Sequence, residues 1–299
     1  MKTVVIADNQ QWRSQAEPHQ AVAAGLRRLG HEVEVVAPGP GLEKPWSHRP
    51  RAVFVWNAIN RPWQAVARAA RDDGAAVFVM ERGFFDRLQH TQIDHAGFNH
   101  AASWAPRFRE PAPADGADRF RRAWGDAPAP VRVREGYLLV LLQTANDAQL
   151  RDSEVQDMAV LASAVEAAAP EDMDVRLRAH PQSLWRWNGR RAVMIDGTLK
   201  EALRGAAFCL TVNSNAGNEA LAMGCPVLCV GPALYAMAGV AMLTHLVNLA
   251  GRIAWMRDCR FDEAAVKNYL YHLACRQWTG EELAEGTALK GLLDAADAG

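Results

Sequence analysis

Four places along the chain set reactive side chains where an apolar, strand-like run gives way to polar residues. In Glu81-Arg82-Gly83-Phe84-Phe85 a carboxylate follows such a run, and a base placed there takes a proton from an acceptor hydroxyl once partial burial lifts its pKa. Asp86 and Asp94 are rival bases just downstream, and Arg82, Gly83 and Phe84 are the expected acceptor contacts. His180-Pro181 follows the strand-like Asp174–Ala179; its imidazole donates to a phosphate or protonates a departing group, while proline fixes the chain beside it. In TVNSNAGNEALAMG, Thr211 to Gly224, Asn213, Ser214, Asn215 and Ala216 are expected to offer a hydroxyl and free amides to a phosphate at the start of a helix. Glu219, one turn in, accepts from a ribose diol. Gly231 and Tyr235, in GPALY, close the same pocket from the next strand, and Arg178 and Pro181 complete the donor set beside His180. The competing accounts are structural: an ion pair for Glu81, an ordinary surface histidine, and a plain strand, cap and helix around Ser214.

Alternating strands and helices must position these groups. Thr3–Ala7, Ala52–Trp56 and Ala76–Met80 are continuous apolar runs and His31–Ala37 reads as a further strand, separated by helix-type spacing over Pro18–Leu29 and Pro62–Asp73. That order predicts right-handed crossovers and a parallel sheet covered on both faces. From Ala101 to Gly136 the pattern dissolves into Pro, Ala, Gly and charge, the composition of a linker. A second series follows, with strands over Tyr137–Leu142, Val175–Ala179, Ala192–Ile195, Phe208–Val212 and Pro226–Val230 and helices over Ser153–Ala168, Leu199–Arg204 and Gly217–Met223. The expected division is therefore 1–136, with an irregular linker at 101–136, and 137–299, the last helices crossing back to the first domain. Two such units form a cleft at the carboxyl ends of their strands, where ligands bind in open α/β sheets.

The chain's 299 residues suit two domains, each with its own core, and 49% hydrophobic residues exclude disorder. A formal charge of −1 gives no global field toward nucleic acid or membrane. Lysine is confined to Lys2, Lys44, Lys200, Lys267 and Lys290, so arginine, the better bidentate partner for oxyanions, carries most of the positive charge. The odd number of cysteines, five, predicts buried, reduced thiols, and Cys225 and Cys229 lack the second pair that zinc requires. The opening MKTVVIADNQ is not expected to act as a signal peptide, and no apolar run of membrane-spanning length follows. A cytoplasmic protein is expected. No metal is expected either: Asp172-Met173-Asp174 precedes a strand and reads as a polar turn, while His90, His95 and His100, five residues apart, share no helix face.

The set of Glu81 with Gly83, His180-Pro181 and Ser214-Asn215 resembles two-domain GT-B glycosyltransferases, in particular bacterial sialyltransferases and Kdo (capsule) transferases. ERGFFDRLQHTQIDHAGFNHAASW, starting at Glu81, is similar to a segment of phage-encoded DNA-modifying glycosyltransferases. The resemblance implies an α/β fold of two Rossmann-like domains facing across a cleft. It also implies a metal-independent transferase with a nucleotide-sugar co-substrate and no other cofactor. Glu81 is then the base, His180 assists departure, and Ser214-Asn215 holds phosphate. The second acidic position of those families is Arg82 here and one of their paired hydroxyls is Asn215, so a UDP-sugar is expected over a CMP-sugar.

For the acceptor, Trp104, Arg107, Phe108, Arg109, Arg119, Phe120, Arg121, Arg122, Trp124, Arg132 and Arg134 interleave aromatic and basic groups in the expected linker. Such a strip clamps a DNA backbone and stacks on a displaced base. The favoured acceptor is therefore a 5-hydroxymethylpyrimidine in phage DNA, with Arg107, Arg109, Arg121 and Arg122 as contacts. The alternative is a CMP-sugar transferase of the Kdo or sialic-acid type in capsule or lipopolysaccharide synthesis. Against it stands Glu282–Gly299, which has no basic amphipathic face for a membrane. A non-catalytic binding protein and a sugar-nucleotide epimerase are the remaining rivals. Oligomeric state has no signature in the sequence.

Overall fold

The computed structural model describes residues 3–7, 18–36, 44, 46, 48–59, 63–132, 135–145, 147–183 and 185–297. In chain order its first elements are β1 (Thr3–Ala7), α1 (Pro18–Arg28), β2 (Glu32–Val36), β3 (Ala52–Trp56), α2 (Trp63–Asp72), β4 (Ala76–Arg82), β5 (His90–Asp94) and α3 (Gly116–Trp124). Then come β6 (Tyr137–Leu141), α4 (Met158–Ala168), β7 (Val175–Arg178), β8 (Val193–Met194), α5 (Leu199–Gly205), β9 (Ala206–Thr211), α6 (Ala216–Ala222), β10 (Val227–Cys229), α7 (Leu234–Met237) and β11 (Met242–Leu243). The chain closes with α8 (Leu249–Met256), α9 (Glu263–Ala274), β12 (Trp278–Thr279), α10 (Gly280–Glu285) and α11 (Thr287–Asp297).

The chain divides into two units, Met1–Ala105 with Leu273–Gly299 and Pro106–His272. In unit 1 the sheet order is β12-β5-β4-β3-β1-β2; β2, β1, β3 and β4 are parallel, and β5 and β12 are antiparallel additions at one edge. The apolar runs of β3 and β4 are continuous because each face is covered. Phe54, Trp56, Phe78 and Met80 pack with α1, α10 and α11, and Val53, Val55, Val77 and Val79 pack with α2. Phe54 and Phe78 stack across the pair at 4.7 Å. Burying each such side chain stabilises the fold by about 1.5–3 kcal/mol.

In unit 2 the sheet is all parallel, in the order β8-β7-β6-β9-β10-β11. Counted from β6, that is the 3-2-1-4-5-6 order of a Rossmann sheet. Its core joins Leu138, Val140, Leu177, Phe208 and Leu210 to α4 and α8. All five cysteines are free, and four are buried. Burial pushes the Cys229 thiol up to about 12 and that of Cys259 to about 11.

Three sequence expectations are corrected. The division falls at Ala105/Pro106 and not at 136/137, and part of the expected linker 101–136 is helical. α3 lies within it, with Phe120 fully buried and edge-on to Tyr271 at 5.9 Å. The proline-rich approach to α3 is held by α9: Asn268 accepts from the Ala112 amide and donates to the Phe108 and Glu110 carbonyls. The helix expected from Ser153 starts at Met158, where Asp157 accepts from the Ala159 amide as N-cap. The strand expected to stop at Met80 runs on through Arg82, so Glu81 lies inside β4, paired with Gln92 of β5.

Candidate functional site

In a 3-2-1-4-5-6 sheet the order reverses between the first and fourth strands, and ligands bind beyond their carboxyl ends. Here those strands are β6 and β9. Past them, Gln143 donates to Asp147 Oδ2 (3.0 Å) and Asn213 Oδ1 (3.1 Å), and the Asn213 amide donates to Gln143 Oε1 (3.1 Å). Asn213 Nδ2 also donates to the Gln149 carbonyl at 2.6 Å. Asn213 is thus committed to a buried network that fixes the strand ends. Gln143, Asp147 and Gln149 are absent from the sequence-derived set; a polar Gln directly after the apolar YLLVLL is the signal that points to them.

Ser214, Asn215 and Ala216 form the turn into α6. Ser214 Oγ accepts from the Ala216 amide at 3.2 Å, and Asn215 accepts from Asn218 at 3.0 Å. Tyr235 does not line an open site: it is 1% exposed, with its hydroxyl donating to the Ser214 carbonyl at 3.2 Å. Gly217 is required by that ring, since a Cβ there would lie 2.6 Å from Tyr235. Gly231 is likewise buried, against Val212 and Ser153. These two residues support the turn from behind.

Arg178 ends β7. Burial lowers its pKa, opposed by the nearby carboxylate of Glu219, so the structure brings these two expected donor residues together. Its Nη2 donates to the Gly197 carbonyl at 3.1 Å, while its Nε is buried without a hydrogen-bond partner. An unsatisfied guanidinium nitrogen is costly and suits an incoming oxyanion. His180 follows; its Nδ1 accepts from the Gln182 amide at 3.2 Å. Pro181 is exposed in the same turn. Asp172 pairs with Arg257 at 2.8 Å, in the polar turn before β7.

In unit 1 the sheet reverses between β1 and β3, and Asn57 follows β3. Its Nδ2 donates to Glu81 Oε2 at 2.7 Å, and Glu81 Oε1 takes the Arg82 amide at 2.8 Å. Asn57 and Ala58 have φ of 60° and 56°, and Asn57 Oδ1 is buried with no partner. Paired strain and an unmet acceptor beside a carboxylate are features of functional sites. Sequence reasoning missed Asn57, although an Asn directly after AVFVW suits a left-handed turn.

Arg82, Gly83, Phe84 and Asp94 are engaged in structural contacts. Asp94 is 4% exposed and accepts from the Ala96, Gly97 and Ser103 amides and the Ser103 hydroxyl, at 2.6–3.3 Å, so it is not a base. Arg82 is 7% exposed, lies over Trp56 and donates to the Leu88 carbonyl; burial lowers its pKa despite Glu81. Phe84 is fully buried, edge-on to Trp104, and the amides of Phe84 and Phe85 donate to Gln277 at 2.6 and 3.0 Å. A Cβ on Gly83 would strike His90 and Gln277, so that glycine serves close packing. Asp86 is exposed, with φ of 41°.

The aromatic–basic strip is also different from expectation. Trp104, Phe108 and Phe120 are buried, and Trp124 carries Lys200 over its ring at 4.6 Å. Arg121 pairs with Asp118 at 2.9 Å; Arg122 is exposed. The side chains of Arg107 and Arg109, and all of Arg134, lie outside the described residues. His90 is in β5, so the spaced histidines do not share a helix. Among the described residues no cluster of three or more His, Cys, Asp or Glu could hold a metal, and no helix is long and apolar enough to cross a membrane.

The family described as "Capsule polysaccharide biosynthesis protein" matches residues 123–276, which contain the whole β6–β9 switch point. The chain belongs to this capsule polysaccharide biosynthesis family. No curated protein matches the chain. Two solved structures from Thermosulfurimonas dismutans share its fold. The KpsC beta Kdo 2,4 transferase has 17% identity and a TM-score of 0.60 over 93% of this chain and 92% of that one. The KpsC beta Kdo 2,7 transferase has 15% identity and a TM-score of 0.60 over 97% and 100%. Two Rossmann-like units with this likeness are the GT-B fold, and family and fold together make the capsule family member a glycosyltransferase.

Proposed function

We propose that the chain transfers an acidic sugar of the Kdo type from a CMP-sugar to a carbohydrate hydroxyl in the synthesis of a capsule-like polysaccharide. One observation carries this reading: the family match covers β7, β9 and α6, where Arg178, His180 and the Ser214 turn sit beside the switch point. The two Kdo transferases that share the fold support the choice of sugar over the DNA acceptor expected from sequence. The DNA reading also loses its physical support, because the aromatics meant to stack on a base are buried or covered.

In the net reaction the acceptor oxygen bonds to the anomeric carbon and the bond from that carbon to the nucleotide phosphate breaks. The acceptor proton passes to Glu81, which Asn57 orients. Negative charge on the departing phosphate is met by Arg178 and by the His180 imidazole. Every group used is a protein side chain.

A thermal-shift comparison of CMP and UDP tests the donor. CMP is expected to raise Tm more than UDP, and the gain should shrink in Arg178→Ala. His180→Ala should cut turnover of CMP-Kdo by about 10²–10⁴-fold, the usual worth of a general acid. Stronger stabilisation by UDP, or full turnover in His180→Ala, contradicts the reading.

A further inference from the structure

Between His180-Pro181 and β8, residues 181–192 carry chemistry that the reading above does not use. Trp185 and Trp187 stack, with ring centroids 5.7 Å apart and planes within 9°. Both are half-buried against the unit 2 core, whereas Arg186, Asn188 and Arg190 are exposed. The pair therefore spends part of its surface on the core and keeps part exposed, in a stretch whose Arg186 and Arg190 are exposed as well.

The stretch is held in place. Ser183 Oγ accepts from the Trp185 amide at 3.2 Å, and Arg186 donates to the Trp185 carbonyl at 3.0 Å. Glu166 of α4 accepts from three successive amides, those of Arg190 (3.3 Å), Arg191 (2.7 Å) and Ala192 (2.6 Å). Arg191 donates to the carbonyls of Ala169 and Pro170 at 3.0 and 2.6 Å, beyond the end of α4. A Cβ on Gly189 would collide with the Trp187 indole nitrogen and the Glu166 carboxylate. A fixed aromatic step loses little entropy when a ring settles on it.

We propose that Trp185 and Trp187 form a stacking platform for the ring of an acidic saccharide, with Arg186 and Arg190 meeting its carboxylate. The inference rests on the proposed function and names where the carbohydrate of that reaction is held. The weakly positive C–H face of a sugar ring fits the negative face of an indole, and a guanidinium binds a carboxylate in bidentate fashion. The charge around the platform selects an acidic ring over a neutral one.

Saturation-transfer NMR on the full chain tests this, with a Kdo oligosaccharide as the acidic probe and maltotriose as the neutral one. Ring protons of the Kdo oligosaccharide should receive saturation. Trp185→Ala and Trp187→Ala should each weaken its binding by roughly tenfold or more, and the Phe variants should retain most of it. Arg186→Ala with Arg190→Ala should remove the preference over maltotriose. CMP binding and Tm, followed in every variant, separate loss of the platform from loss of the fold. The proposal is overturned if wild-type protein transfers no saturation, or if the Ala variants bind within about twofold of wild type. Normal Kdo transfer with no role for the tryptophans would sink the platform alone. Tryptophan-dependent binding with no turnover of CMP-Kdo would sink the proposed reaction and leave the platform standing.

Discussion

A single hydrogen bond of 2.7 Å ties Asn57 to Glu81, and its backbone cost says something about its purpose. Two successive residues at positive φ, one of them alanine, cost about 1–2 kcal/mol each when their side chains offer no compensation. The unpartnered Asn57 Oδ1 adds a buried acceptor. Asn57→Gly relieves the strain at that position and removes the orphan oxygen, while Ala58 keeps its own strain, so Tm is expected to hold steady or rise. Turnover should nevertheless fall by about 10–100-fold, with KM little changed, because Glu81 loses its orientation. A lower Tm with full turnover would make Asn57 a structural residue only. At this scale, although Glu81 proved to lie inside β4, the placing of His180 and the Ser214 turn just past strand ends was legible in sequence because each follows an apolar run. The buried state of Arg82, Phe84, Asp94 and Tyr235 was not, since their partners lie elsewhere in the chain or in loop geometry that no periodicity encodes.

Among the elements, the C-terminal segment that carries β12 does more than add an edge strand to unit 1. Gln277, 1% exposed, takes the Phe84 and Phe85 amides and returns a bond to the Phe85 carbonyl at 3.1 Å. Gln277→Leu leaves two buried amides unsatisfied and should cost about 2–4 kcal/mol in chemical denaturation; a loss within experimental scatter would contradict that assignment. The loop before β8 depends on Glu166, whose carboxyl burial tends to raise, while amide donation from Ala192 and Arg191 overcomes burial and holds it below the ordinary value. A depressed carboxyl contributes stability above its unfolded pKa of about 4.3 and loses it as pH falls through the folded value. Acid should therefore loosen residues 181–192, seen as faster amide exchange there, and Glu166→Gln should show that loosening already at neutral pH. The runs of β3, β4, β6 and β9 were legible because strands buried on both faces read as unbroken apolar segments. The ordering of 106–124 was not, because Asn268 and His272 supply its hydrogen bonds from 156 and 162 residues away.

For the whole molecule, the order of strands locates the chemistry better than composition does. A charge of −1 is indifferent to DNA and glycan alike, and of the arginines that argued for DNA, Arg121 pairs with Asp118, Arg132 lies 3.6 Å from Glu263 and Arg122 is exposed. The 3-2-1-4-5-6 order of unit 2, by contrast, selects one pair of strand ends, and the family match encloses them. The GT-B architecture was legible from the repeated strand and helix pattern together with its short motifs. The acceptor was not, because basic and aromatic residues in sequence look alike whether they face solvent or a core. The central claim is that an acidic sugar moves from CMP to carbohydrate. Mass spectrometry of the products formed from CMP-Kdo with a Kdo-terminated oligosaccharide, and separately with hydroxymethylated DNA, tests it most directly. The account predicts one added Kdo on the oligosaccharide, loss of that product in Glu81→Ala, and no mass gain on DNA; sugar added to DNA but not to the glycan would contradict it.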